Sequence, residues 1–155
     1  MINVAHIHPM LVHFPIVFFI TGVLISGYVL LRKGDLGERS CLVMTGFSAL
    51  ACGITFALAA AFFGDIALDT AVDAGFAAAP LEEHETLAVV TMVIFGALTL
   101  IQGFFLRRKL ELKNRNGWIF VGVGLLGLVM LLSTAYHGGN LVYELGVNVS
   151  GVKPH

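Results

Sequence analysis

The stretch MLVHFPIVFFITGVLISGYVLL, residues 10–31, is the first of four apolar runs that decide the fold of this chain. A helix needs about 20 apolar residues to cross the hydrocarbon core of a bilayer, and comparable runs follow at residues 41–63, 86–106 and 118–136. Of the 155 residues, 57% are hydrophobic and 12% are charged, about half the charged fraction of a soluble domain. We therefore expect an all-α integral membrane protein in which residues 1–155 form one four-helix bundle.

The distribution of basic residues predicts how the bundle is oriented. Eight of the nine Lys and Arg residues lie in two loops, residues 32–39 and 107–116. Cytoplasmic loops carry an excess of such residues, so both loops are expected to face the cytoplasm. Four spans then place both termini on the opposite side, which is the periplasm if the protein lies in a bacterial inner membrane. No Lys or Arg precedes the first run, which favours a retained helix over a cleaved signal peptide.

Two segments between or after the runs are expected to stay outside the membrane. Residues 64–80 are acidic and rich in alanine, and a helix over residues 65–76 is predicted to lie on the membrane surface with Leu68, Val72 and Phe76 on one stripe. The tail at residues 137–155 is rich in glycine and is expected to lack regular structure.

All six histidines fall in the parts of the chain assigned to the outer side. They are His6, His8, His13, His84, His137 and His155. The ends of the first, third and fourth helices of a bundle lie within a helix diameter or two of one another, and polar groups inside a span are usually functional. We therefore predict a shared site formed by His8, His13, His84 and His137, while the two histidines in the tails are expected to be solvated.

Several imidazoles at one depth indicate metal or haem binding. Neutral imidazole is a common metal ligand and an axial ligand of haem iron. A b-type haem also needs small residues beside the macrocycle, and the second run has glycine or alanine near helical spacing at Gly46, Gly53, Ala57, Ala60 and Gly64. Small residues at this spacing equally serve close helix packing. Covalent c-type attachment is excluded because no Cys-x-x-Cys-His motif is present.

Each histidine also has a purely structural interpretation. His8 precedes Pro9, which disfavours helical geometry at His8. His84 lies among the acids of residues 82–85, which are favourable at a helix N-terminus. His137 precedes Gly138 and Gly139, a pair typical of helix ends. Taken together, the four histidines favour a shared site over four separate structural roles.

Three stretches resemble the signature blocks of a bacterial family of four-span membrane proteins known as domain of unknown function 2231. They are residues 8–15, HPMLVHFP, residues 82–85, EEHE, and residues 138–147, GGNLVYELGV. The resemblance covers nearly the whole chain. It implies a four-helix inner-membrane module with histidines in matching positions and an association with haem or metal, and it supports His8, His13, His84 and His137 as a set. It implies no particular activity.

Three functional classes fit these observations. The first is a b-type cytochrome that holds one or two haems and passes electrons at the periplasmic face, an electron carrier rather than a stand-alone enzyme. The second is a direct site for a transition-metal ion such as Zn, Cu, Fe or Ni. The third is a structural or assembly subunit whose histidines pair with carboxylates. We rank haem binding first, although Lys153 is the only outer cation available to haem propionates.

The charge pattern also predicts which partners the protein has besides the lipid bilayer. Seven of the ten acids are on the outer side, and such a surface attracts a basic partner such as a periplasmic cytochrome c. Nucleic acid is not an expected partner, because the basic residues are confined to the two short loops. Dinucleotide-binding, Walker and serine-hydrolase motifs are absent from the sequence.

Overall fold

The computed structural model describes residues 7–149 and 152, and it is helical throughout its regular elements. The helices are α1 (Ile7–Leu11), α2 (His13–Leu31), α3 (Cys41–Asp73), α4 (Ala78–Arg108) and α5 (Asn114–Tyr143). Within the described residues, four stretches are long and apolar enough to cross a membrane: α1 together with α2, and then α3, α4 and α5. The predicted number of spans is therefore confirmed.

The helices α3, α4 and α5 are longer than the predicted spans. Helix α3 has 33 residues, which at about 1.5 Å per residue gives roughly 50 Å, whereas the hydrocarbon core of a bilayer is about 30 Å thick. The longer extensions of α3 and α5 lie at their C-terminal ends and that of α4 at its N-terminal end, while α5 also begins about one turn before the predicted span. All three extensions are therefore at the end of the bundle that carries the acids, away from the basic loops.

The segment at residues 65–76 is not a separate helix on the membrane surface, as the sequence had suggested. It continues α3 as far as Asp73 and then turns. Its apolar residues Leu68 and Phe76 pack against a small buried cluster formed by Ala71, Leu81, Leu141 and Val147. Two of the three stripe residues are thus packed against α4 and the end of α5, whereas Val72 is exposed.

The prediction of an irregular tail was wrong for residues 137–143, which belong to α5. Gly138 does not end the helix, because it lies against the ring of His84, where an added Cβ would be 2.9 Å from Cε1. Close packing there compensates for the roughly 1 kcal/mol that glycine costs inside a helix. The chain turns later, at Gly146 with φ of 69°. The predictions for residues 150, 151 and 153–155 lie outside the described part of the chain.

Aromatic stacking and small residues form the main core. The rings of Phe19 and Phe95 stack with their centroids 4.0 Å apart, and both are almost fully buried. A Cβ on Gly53 would be 2.5 Å from the Phe19 ring, and one on Gly46 would be 2.9 Å from Ile25. These two members of the small-residue stripe therefore serve the close packing of α3 on α2.

The two basic loops are held together by hydrogen bonds. Oδ1 of Asp35 accepts from the backbone N–H of Gly37 at 2.8 Å and from that of Leu112 at 2.7 Å. The N–H of Leu36 donates to the carbonyl of Leu112 at 3.1 Å, and the amide of Gln102 donates to the carbonyl of Leu36 at 3.3 Å. Both loops consequently lie on the same side of the bundle.

Candidate functional site

Helix α1 places His8 against α3. Nδ1 of His8 is 2.7 Å from the carbonyl oxygen of Ala60. A carbonyl can only accept, so Nδ1 carries the hydrogen and Nε2 keeps the lone pair of the neutral ring. His8 is helical despite the following Pro9, because proline is tolerated in the first turn. Gly64 makes room for the ring, since a Cβ there would be 3.0 Å from Nδ1 of His8.

His84 is held against α5 in the same manner. Its Nδ1 is 3.1 Å from the carbonyl oxygen of Thr134, so Nδ1 is again the donor and Nε2 keeps the lone pair. The hydroxyls of Thr91 and Thr134, 3.2 Å apart, join α4 to α5 nearby. Gly138 lies against the ring on the same side. Two packed helices therefore set the position of this imidazole.

His8 and His84 face a common space. Their ring centroids are 6.2 Å apart and their planes are nearly perpendicular at 89°. Both rings line a cavity of about 120 Å³ between α1, α3 and α4, together with Met92 and Asn148 among others. A histidine whose Nδ1–H is bound to a carbonyl and whose Nε2 is left as an acceptor is in the state that metal-binding histidines usually adopt.

The other two predicted site residues are not brought into this cavity. His137 donates from Nδ1 to the carbonyl of Ser133 at 2.9 Å, one turn back in α5, and its Nε2 is 3.4 Å from Oε1 of Glu83. His13 is exposed at the start of α2. Neither lines the cavity. His6 and His155 are outside the described residues.

The separation of the two rings permits both of them to bind one metal atom. An imidazole nitrogen binds a transition metal at about 2.0–2.1 Å, so two imidazoles on one metal atom have ring centres no more than roughly 6 Å apart; the observed distance is 6.2 Å. Over residues 7–149 and 152, no three His, Cys, Asp or Glu side chains come together as a metal site. Zinc sites use three or four protein ligands. The two imidazoles therefore suit a metal centre that needs only two ligands from the protein.

The space at the pair is smaller than a macrocycle requires. Its 120 Å³ is below the roughly 300–1,000 Å³ of ordinary ligand pockets. Helix α1, which forms one wall, has five residues and none of them is buried. The helical backbone continues through Val12 into α2, since the N–H of Val12 donates to the carbonyl of His8 at 3.2 Å and that of Ile16 donates to the carbonyl of Val12 at 3.4 Å.

The fold and the site define an all-helical, four-span membrane protein with an anchored pair of histidines near the acidic end of the bundle. The family model described as "Predicted membrane protein (DUF2231)" matches residues 5–151. The chain therefore belongs to this family, as the three signature blocks had indicated. A search of curated proteins found no match, and neither did a search of solved structures.

Proposed function

We propose that the protein is a membrane b-type cytochrome in which His8 and His84 would hold a single haem. The observation that carries this proposal is the 6.2 Å separation of the two rings, each with its Nδ1–H bound to a backbone carbonyl. Imidazole is a usual protein ligand of haem iron. When bound, the haem would provide one-electron transfer, and the protein would fix the orientation of both ligands.

The enclosed space of about 120 Å³ is too small for the macrocycle, so haem binding would require α1, α3 and α4 to separate around the pair while each Nδ1–H keeps its backbone carbonyl.

The first test is the visible spectrum of the detergent-purified protein before and after dithionite, with bound metals assayed in the same sample. A bis-histidine b-type haem is expected to give a sharp Soret band that shifts on reduction, with about one iron per chain. Protein from haem-replete cells that carries neither iron nor another metal would contradict the proposal and leave a structural or assembly subunit as the remaining function.

A second candidate is a directly bound metal ion, and two features of the cavity favour it. The cavity is large enough for an ion without any movement of α1, and Met92 lines it beside the two histidines. A thioether with two imidazoles is a donor set that suits Cu(I). The same metal assay distinguishes the two candidates, since a colourless protein with stoichiometric copper would support the ion and reject haem.

The surface near the site suits a basic redox partner. All seven acids at this end of the bundle are exposed: Asp65, Asp69, Asp73, Glu82, Glu83, Glu85 and Glu144. We propose that they receive a basic periplasmic cytochrome c or a basic redox subunit, because opposite charges accelerate encounter. Exposed charges are screened over about 8–10 Å at physiological salt, so a rate of electron transfer that stays constant as salt rises would reject this role.

The proposed location is the inner membrane of a bacterium, with the acidic end in the periplasm. The two basic loops lie on one side because they bond to each other through Asp35 and Leu112, and basic loops face the cytoplasm. A reporter active only in the periplasm is expected to work when fused after residue 155 and to fail within residues 107–116. The reverse pattern would place the histidine pair in the cytoplasm and remove the periplasmic partner.

A further inference from the structure

A second and larger cavity lies at the opposite end of the bundle, between the two basic loops. Its volume is about 580 Å³, which is within the roughly 300–1,000 Å³ typical of ligand pockets. The basic residues that line it are Lys33, Arg39, Lys109 and Lys113, and the acidic ones are Asp35, Glu38 and Glu111. No residue of the histidine pair contributes to it, so it is independent of the function proposed above.

The lining of this cavity carries one more cation than acids, four against three. Glu111 forms an ion pair with Lys113 at 2.7 Å. Among the described residues, none of the other three cations takes part in an ion pair, and all three are exposed: Lys33, Arg39 and Lys109. The cavity therefore has a small positive net charge and three cations that are available to an anion.

Two of these cations occupy backbone positions at which glycine is usual. Lys33 has φ of 58° and Lys109 has φ of 55°, both in the left-handed region. The positions directly follow the ends of α2 and α4, where glycine normally makes this turn without strain. Each of these helices instead ends in a lysine that lines the same cavity.

We infer that this cavity binds a phosphate-bearing anion, namely the headgroup of an anionic phospholipid in the cytoplasmic leaflet. The loops connect the ends of membrane-crossing helices, so the cavity lies at the depth of the headgroups, and basic pockets between such helices bind anionic headgroups. Trp118, near the start of α5, is exposed on this side, and exposed tryptophans mark the interface region. Hydrogen bonds between the loops hold the cavity in shape before any ligand arrives.

The test counts the phosphatidylglycerol molecules retained by the full-length protein in native mass spectrometry after delipidation. The informative variant is Lys33→Gly combined with Lys109→Gly, because it removes both charges and relieves the left-handed strain, so unfolding does not explain a loss of lipid. Each cation near the surface contributes about 1 kcal/mol to binding anionic lipid, so the double variant should bind about 30-fold more weakly.

A matched control is Arg32→Gln combined with Arg107→Gln, which removes the same charge from the same loops. Both arginines are exposed, and neither lines the cavity. The control is expected to lose less phosphatidylglycerol than the Lys33→Gly and Lys109→Gly variant, because its cations lie outside the cavity. Equal loss of lipid in the two double variants would overturn the inference, because only the total charge would then matter.

A separate experiment distinguishes binding of the lipid headgroup from binding of a soluble anion. Inorganic phosphate at millimolar concentration is added to the protein in nanodiscs that contain phosphatidylglycerol, and lipid retention is measured again. We expect no displacement, since the acyl chains hold the headgroup at the interface. Displacement by phosphate that is absent in the Lys33→Gly and Lys109→Gly variant would overturn the lipid assignment in favour of a soluble phosphate compound.

Discussion

Replacing His84 by alanine is expected to abolish haem retention, and replacing His8 should do the same. Each supplies one ligand in the proposed site, and the described structure places no other histidine in the cavity that could take over. The Soret band per mole of purified protein should fall to the background level in both variants. His13→Ala is the matched control, because His13 is exposed two turns or less from His8 but does not line the cavity.

The unfolding temperatures of the haem-free variants separate loss of a ligand from unfolding. His8 is joined to Ala60 and His84 to Thr134 by one hydrogen bond each, so each substitution should cost about 1 kcal/mol, as for a typical hydrogen bond, which is too little to unfold the protein. Haem loss in His13→Ala with retention in His8→Ala would show that the wrong histidines have been paired.

Replacing Gly37 by alanine is expected to be the most destabilising small substitution in the chain. A Cβ on Gly37 would run into the carbonyl oxygen of Leu110, with the carbonyl carbon of Leu110 at 3.0 Å and the N of Leu112 at 3.2 Å. These are backbone atoms held in place by the hydrogen bonds between the loops, so the overlap cannot be relieved by rotation of a side chain. Overpacking normally costs about 1–3 kcal/mol, and we expect the upper end of that range here.

Thermal unfolding in detergent, followed by the fluorescence of the single tryptophan, measures this effect. Trp118 lies early in α5, a few residues after the loop that Gly37 contacts. Gly122→Ala is the control, because a Cβ on Gly122 has no neighbour within 4 Å and alanine favours the helix. If Gly37→Ala unfolds at the same temperature as Gly122→Ala, the two loops are not packed as described. The cavity proposed for the lipid headgroup, which lies between these two loops, would then not have the described shape either.

The spans could be predicted because the membrane imposes a length on them. Each of the four apolar runs is long enough to cross a bilayer, and each lies within one of the four membrane-crossing stretches. The extensions of α3 to Asp73 and α5 to Tyr143 were not predictable in this way. They depend on contacts among Leu68, Leu81 and Leu141, which lie far apart in sequence and stabilise the extra turns only when the three helices meet.

For the candidate site, the sequence by itself determined that the candidate residues are histidines and at which end of the bundle they lie. The sequence offered no reason to prefer any of His8, His13, His84 and His137, because all four are at the same end of the bundle. Only the tertiary structure showed that His8 and His84 share a cavity and that the other two lie outside it. The direction of each imidazole is set by a carbonyl on another helix, Ala60 for His8 and Thr134 for His84, which are 52 and 50 residues away. No local pattern encodes such contacts, because they exist only once the helices have packed.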